Sequence, residues 1–405
     1  MVKLISTVLI SLLVSLAPVK AARLVLVHGL AGFGPEELGP IDYWNDNEQY
    51  FIDRGIDVFE STVGPVSSNW DRACELYAQI KGTVVDYGKA HSERHGHKRF
   101  GRNFTGKGYA PDWDENNKLH FVGHSMGGQT IRELERLIQE GDAAELAATG
   151  DDTSPLFKKQ GNWIKSMSTL STPHDGTPLV KILGDGMVAL IKAMIIGFAG
   201  ISSGSDLEDF YDLDLDQWDL GRHSGEKFFD YLSRVLSSPI WKDNIDFANY
   251  DLTIEGSIAA QQKGQHAYPG THYAGYATEQ TEKVIFTSFQ IPSLKMSLPM
   301  QPFGTMLGSI LNSDKDLREN DGLVPLEASK CPQAGYSGVS CTEFTSQDHK
   351  WEAGKWHWEK VSKDHMQVIG FTIFQKPDQV YERIANRIVS IEPTLRRRLK
   401  SLRGN

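Results

Sequence analysis

Three cysteines in 405 residues are too few for a disulfide-built scaffold, so stability has to come from a buried apolar core. Positive charge is also scarce. Against 52 Asp and Glu the chain sets 42 Lys and Arg, and the formal charge of −10 disfavours a nucleic-acid partner. Beyond the first residues no long apolar run goes uninterrupted. The most apolar later stretch, Leu179 to Ile201, is broken by Lys181, Asp185 and Lys192 and punctuated by glycines, so it does not read as a permanent membrane span. Internal repeats are not visible. These absences leave an acidic globular chain, of a length that suits one large catalytic domain with insertions.

At the N-terminus, Lys3 precedes the apolar run Leu4 to Leu16, followed by Pro18 and by the small residue Ala21, with Val19 two places before it. Residues 1–21 are expected to be a cleaved signal peptide, making the protein secreted and extracellular and residues 22–405 a single domain. Its removal takes away Lys3 and Lys20 and moves the charge from −10 to −12. Export permits a disulfide between Cys331 and Cys341, which flank the loop CPQAGYSGVSC and could stabilise the fold by roughly 2 to 3 kcal/mol. Cys74, in the helical pattern WDRACELYAQI, reads as a buried free thiol. Asn103-Phe104-Thr105 is a candidate glycosylation sequon.

Three apolar strand candidates each run into a loop rich in small or polar residues. Arg23 to Val27 leads into His28-Gly29-Leu30-Ala31-Gly32, and Trp163 to Leu170 leads into Ser171-Thr172-Pro173-His174. Between them, KLHFVGHSMGGQ reads as strand, tight turn at Ser125 and glycine-opened helix. This fits G-x-S-x-G, in which small neighbours let a strained turn hold a serine hydroxyl above a sheet edge. Helical stretches at 70–87, 130–139, 225–236 and 379–391 alternate with the strands and predict an α/β fold with a mostly parallel central sheet and helices on both faces.

A serine hydroxyl needs a base to take its proton and a carboxylate to orient that base. Where the serine sits on an elbow of this kind, the order is serine, acid, histidine. Asp321, in ENDGLVP, and His365, in DHMQVIG, fit best. Asp314, Asp316 and Asp348 remain rivals for the acid, and His349 and His357 for the base. His174 and His124 read as bracing residues. Backbone N–H groups of Leu30 and Met126 are expected to form the oxyanion hole. The stretch 179–201 reads as an amphipathic lid, with an ordinary core helix as the alternative.

The motifs VLVHGLAGFG, GHSMGGQT, STPHDGTPLV, LDQWDL, PGTHY, ENDGLV and DHMQVIG, in that order, resemble the zinc-containing thermoalkalophilic bacterial true lipases. The resemblance covers most of the chain after residue 21. It implies an α/β-hydrolase fold with a helical lid and cap insertion at about 178–245, and hydrolysis of triacylglycerol esters at an oil–water interface. The family's triad falls on Ser125, Asp321 and His365. The same residues would serve a phospholipase A or a soluble-ester carboxylesterase; a non-catalytic lipid-binding protein could also keep the fold. The resemblance further implies a structural zinc held by Asp71, His91, His97 and Asp216, in a small subdomain at about 66–112 plus Asp216. Two histidines and two carboxylates can close a tetrahedral site. The family's calcium site is not expected, because Gln367 and Thr372 stand where carboxylates would be needed. Leu30 replaces an aromatic residue of the thermoalkalophilic members, which alters the wall of the acyl pocket.

Overall fold

The computed structural model describes residues 21–403 apart from 36, 39, 40, 185–187, 189, 192, 193, 195–210, 242–244, 265, 266, 311–314, 334–340, 345–349 and 372–378. The expected signal peptide, with the exception of Ala21, lies outside the described residues, as do Asp314, Asp348, His349 and Thr372. Seven strands form the central sheet: β1 (Ala22–Val27), β2 (Ile56–Glu60), β5 (Leu119–His124), β6 (Ile164–Leu170), β7 (His272–Thr278), β10 (Cys341–Glu343) and β11 (Trp356–Val361). Two antiparallel ribbons stand apart, β3 (Val84–Asp86) with β4 (Phe100–Asn103), and β8 (Thr281–Lys283) with β9 (Gln290–Pro292).

The order across the large sheet is β10-β11-β7-β6-β5-β1-β2, and every pairing in it is parallel. A parallel sheet needs cover on both faces, and the inner strands β1, β5, β6 and β7 are largely buried. Strand β1 shows the division of labour. Leu24 and Leu26 belong to one core cluster, which includes the helix Gln379–Ile391, and Val25 and Val27 belong to the other, with the helices Asn69–Lys81 and Met126–Glu140. All four are fully buried, worth about 1.5 to 3 kcal/mol each. The α/β architecture with a parallel central sheet expected from the strand and helix pattern is therefore present.

Cys331 and Cys341 are bonded, with their Cα atoms 6.3 Å apart, and Cys74 is a buried free thiol. Asn103 is exposed on β4, its Oδ1 accepting from the Thr105 N–H at 2.9 Å. Among the described residues no helix is long and apolar enough to cross a membrane.

Candidate active site

The turn after β5 puts Ser125 in a conformation that few side chains tolerate, φ +54° and ψ −128°, at the entrance of the helix Met126–Glu140. A non-glycine residue held there costs about 1 to 3 kcal/mol, which the surroundings must offset. The glycines around it explain how the turn fits. A Cβ on Gly127 would sit 2.1 Å from Val27 O, one on Gly123 2.6 Å from Gly128 N, and one on Gly29 2.7 Å from Ser125 Cβ. The first binds the elbow against β1, and the last lets the loop after β1 lie directly over the serine.

His365 and Asp321 converge on this hydroxyl from loops distant in sequence. His365 Nε2 lies 2.9 Å from Ser125 Oγ, and its Nδ1 lies 2.9 Å from Asp321 Oδ2. Asp321 is fully buried and well supplied with donors: Oδ1 accepts from the N–H groups of Leu323 (3.0 Å) and Val324 (2.8 Å), and Oδ2 from Thr278 Oγ1 at 2.6 Å. Such donors fix the direction of the carboxylate. A further bond, from His365 N–H to Asp321 O at 2.9 Å, ties the two loops through backbone. Asp364, beside the histidine, shapes its turn by accepting from Met366, Gln367 and Ser297 N–H groups. Of the rivals, Asp316 is exposed on a short turn, and His357 is stacked on Phe344 within β11.

Leu30 and Met126 flank this hydroxyl on two loops, and Leu30 lines the same small cavity as Ser125 and His365. The loop that carries Leu30 is braced from beneath. Arg72, fully buried, donates to His28 O, to Gly64 O (2.8 Å) and to Thr130 Oγ1 (2.9 Å), so one guanidinium joins the end of β1 to the helix that starts at Met126. Burial first, and then the Arg72 charge, push His28 down to about 3, leaving it neutral. Its Nδ1 can then donate to Gly29 O (2.9 Å) while Nε2 accepts from Val63 N–H (3.3 Å).

His124, within the elbow, also has partners that sequence reading missed. Its Nδ1 lies 2.7 Å from Tyr43 Oη, and its Nε2 lies 3.0 Å from His365 O. Gly29 N–H donates to the same Tyr43 oxygen at 3.0 Å. Burial holds His124 well below its ordinary range and raises Tyr43, so both are neutral. One proton arrangement satisfies all three bonds: Gly29 N–H to Tyr43, Tyr43 O–H to Nδ1, and Nε2–H to His365 O. No local motif could have revealed Tyr43, which is 81 residues from its histidine. His174 is buried and neutral for the same reason, with Nε2 3.0 Å from Thr169 Oγ1.

Apolar side chains close the site from outside. Leu179, Val180, Leu190 and Met194 line the cavity with Leu252, Leu323 and Val324, leaving a volume of only about 30 Å³ beside Ser125 and His365. These four come from the stretch expected to act as a lid; the helix Pro178–Leu183 is its described first part.

A second constellation lies on the far side of Arg72. Asp71, His91, His97 and Asp246 each bring one ligand atom to within 4.8 Å of all the others. His91 Nε2 is 3.3 Å from Asp71 Oδ1 and 3.1 Å from Asp246 Oδ2; His97 Nε2 is 4.0 Å and 3.2 Å from the same two oxygens. A tetrahedron with bonds of about 2.0 Å has edges of about 3.3 Å, so the spacing suits a four-coordinate cation. Two of the atoms, Asp71 Oδ1 and His97 Nε2, are buried with no hydrogen-bond partner. His97 Nδ1 lies 2.8 Å from Lys98 O, an arrangement that turns Nε2 toward the group.

The expected fourth ligand, Asp216, is not in this group and is corrected to Asp246. Asp216 opens the short turn Asp216–Trp218 with its side chain exposed, and that turn presents Gln217 inward, donating from Nε2 to Asp71 Oδ2 at 3.1 Å. Asp246 is delivered instead by the bridge between Ser67 and Phe247 and by the bond from Ala248 N–H to Val66 O, at the entrance of the helix that carries Asp71. At the position considered for calcium, Gln367 is tied to Asp364 N–H by Oε1 and to Lys295 O by Nε2.

The sheet and elbow define an α/β-hydrolase. Residues 20–396 match the family described as lipase-like, C-terminal domain, and the chain belongs to it. Its sequence is 35% identical over 362 residues to Lipase 1 of Staphylococcus aureus, covering 86% of this chain and 50% of that protein. The chain thus spans about half the length of the curated relatives it matches. Among solved structures, EstA from Clostridium botulinum is similar with a TM-score of 0.83 and 35% identity, over 92% of this chain and 88% of that one. Lipase 1 from Pelosinus fermentans gives 0.80 and 35%, over 91% and 99%. Staphylococcus hyicus lipase gives 0.74 and 33%, over 94% and 96%.

Proposed function

We propose that this protein is a secreted carboxylic ester hydrolase acting on triacylglycerols. The observation that carries the reading is His365, with one ring nitrogen 2.9 Å from Ser125 Oγ and the other 2.9 Å from buried Asp321, beneath an apolar cover. Ser125 Oγ attacks the ester carbonyl while His365 Nε2 takes its proton. Asp321 keeps Nδ1 protonated and offsets the charge of the imidazolium. The oxyanion is held by the Leu30 and Met126 N–H groups. His365 passes the proton to the departing alcohol, then activates the water that releases the fatty acid.

A cavity of about 30 Å³ cannot hold an acyl chain, so Leu190 and Met194 must move before substrate enters. Their apolar surface would be costly to expose in water and is accepted at an oil surface, which supports interfacial opening of the insertion at about 178–245. Asp71, His91, His97 and Asp246 suit zinc, which would pin the small subdomain at about 66–112 to the turn carrying Asp246 and need take no part in ester chemistry. The nearest alternative substrates are phospholipids and soluble esters, which the same three residues could cleave.

The test compares emulsified long-chain triacylglycerol with a soluble short-chain ester, using wild type and Ser125→Ala. Emulsion activity that Ser125→Ala abolishes is the expected result. Activity on the soluble ester alone would move the substrate to small esters, and turnover unchanged in Ser125→Ala would sink the mechanism.

A further inference from the structure

The four most exposed large apolar side chains among the described residues fall within fourteen positions: Ile285 (76% exposed), Phe286 (103%), Leu294 (101%) and Leu298 (79%). They crown the ribbon of β8 and β9 and the segment that follows it. A concentration of this kind marks a contact surface, since apolar residues scattered singly need no explanation.

The ribbon is built to hold them out. Val284 N–H donates to Phe289 O at 2.9 Å, and Thr287 bonds Val284 O through both N–H (3.1 Å) and Oγ1 (3.0 Å). The buried guanidinium of Arg318 lies 4.5 Å from the Phe289 ring centroid and donates to Ser288 Oγ. Phe286 itself takes φ +63°, a left-handed conformation that turns a large ring away from the strand pair. Little further backbone freedom would be lost on binding.

Position and charge decide what these side chains meet. The base of the ribbon is tied to the loops of the active site: Gln280 N–H donates to Asn320 O (3.0 Å), Ser297 N–H to Asp364 Oδ2 (2.7 Å), and Gln367 Nε2 to Lys295 O (2.7 Å). The helix Gln301–Gly308 packs on β9, and its exposed Met306 lines, with Ile182 of the helix Pro178–Leu183, a cleft of about 600 Å³ that shares Thr177 with the cavity over Ser125. Lys283 and Lys295 stand exposed beside the apolar tips, with Glu282 next to the first and no acid in the sequence between them, on a chain of net charge −10. Convex apolar points shouldered by lysines suit a fluid lipid surface with phosphate at its boundary.

We propose that the β8–β9 ribbon and the segment to Leu298 are a docking surface for a lipid–water boundary, with Ile285, Phe286, Leu294 and Leu298 inserted and the two lysines at headgroup level. The inference rests on the lipase reading and adds to it a fixed anchor, separate from the moving cover, that brings the site entrance to the lipid.

The experiment floats full-length Ser125→Ala protein with phosphatidylcholine vesicles and repeats this with Phe286→Asp and Leu294→Asp added. The two acidic changes should lower the partition coefficient tenfold or more, and with Ser125 restored they should leave soluble-ester turnover within twofold of wild type. Equal partition of both proteins, or no partition by either, would overturn the inference, even with ester turnover intact. If the double change also abolishes turnover, Phe286→Cys carrying a polarity-sensitive dye decides: a blue shift on adding vesicles supports insertion, and no shift rejects it. A wild-type dimer in sedimentation that the acidic changes dissociate would assign the surface to a second copy and also overturn the proposal. Failure of the lipase reading registers elsewhere, as ester turnover that survives Ser125→Ala.

Discussion

Replacing Tyr43 by Phe removes one oxygen and keeps the ring, which packs edge-on against Phe33 and Trp44. Two buried groups lose their partner at once, the Gly29 N–H and His124 Nδ1. Leaving a buried polar group unpaired costs about 1 to 3 kcal/mol, so two of them should cost the fold about 2 to 6 kcal/mol. The effect on rate comes through position. Gly29 touches Ser125 and precedes Leu30, whose N–H is proposed to hold the oxyanion, and His124 is bonded to the backbone of His365. Outright loss of an oxyanion donor costs about 10² to 10³ in kcat; a donor that is still present on a loosened loop should cost about tenfold, or about 1.4 kcal/mol. A soluble short-chain ester avoids any interfacial step. With it, kcat should fall about tenfold with KM nearly unchanged, and urea unfolding should report the stability loss. If kcat stays within twofold and the urea midpoint does not move, Tyr43 does not position the site. A double-mutant cycle with His124→Gln adds a stricter check, because members of one network should couple and independent sites should add.

Asp246→Ala should lose the bound metal, measured by elemental analysis of purified protein, whereas Asp216→Ala should keep it; the opposite pattern would restore Asp216 as the ligand. Dialysis of wild type against a chelator should lower the melting temperature by several degrees and leave an Asp246→Ala protein unaffected. Gly29→Ala should abolish turnover, since the new Cβ would lie 2.7 Å from Ser125 Cβ and 3.3 Å from its Oγ; turnover within twofold of wild type would refute the close packing of this loop on the serine. Glu135 is pushed up to about 7 by burial, against the opposing bonds from Thr271 and Tyr273. Its folded pKa lies above the unfolded one, so its contribution is full below about pH 4.5 and is lost as pH rises through 7, at most about 3 kcal/mol. Between pH 5 and 8 the melting temperature of wild type should therefore fall more steeply than that of Glu135→Gln; parallel curves would refute the assignment.

What could be read from sequence was local, and what could not was held together by distant segments. The elbow was legible because its steric demands fall within a few residues: Gly123 and Gly127 are small for reasons of close approach that a five-residue pattern records. Asp321 and His365 were legible from chain order and turn chemistry, with rivals that only geometry could set aside. Asp246 was missed because nothing near it in sequence marks it; the backbone bridge of its neighbour Phe247 to Ser67 brings it to Asp71, whereas the family resemblance had assigned the fourth position to Asp216. Tyr43 and Arg72 were missed for the same reason, their partners lying 81 and 44 residues away.

Adjacent residues of one helix link the two constellations. Asp71 faces the four-ligand group, and Arg72 holds His28 O and Thr130, the two supports of the proposed oxyanion hole. Helical geometry turns neighbours about 100° apart, so one turn of helix can serve two sites on different sides. Any disturbance that shifts Asp71 therefore has a short mechanical route to the loop over Ser125. This gives a metal that takes no part in the chemistry a way to affect kcat: chelation should lower soluble-ester turnover at temperatures well below unfolding. An Arg72→Met protein, which lacks the guanidinium, should start from a lower rate and lose little more on chelation. If chelation lowers both rates by the same factor, the coupling does not run through Arg72.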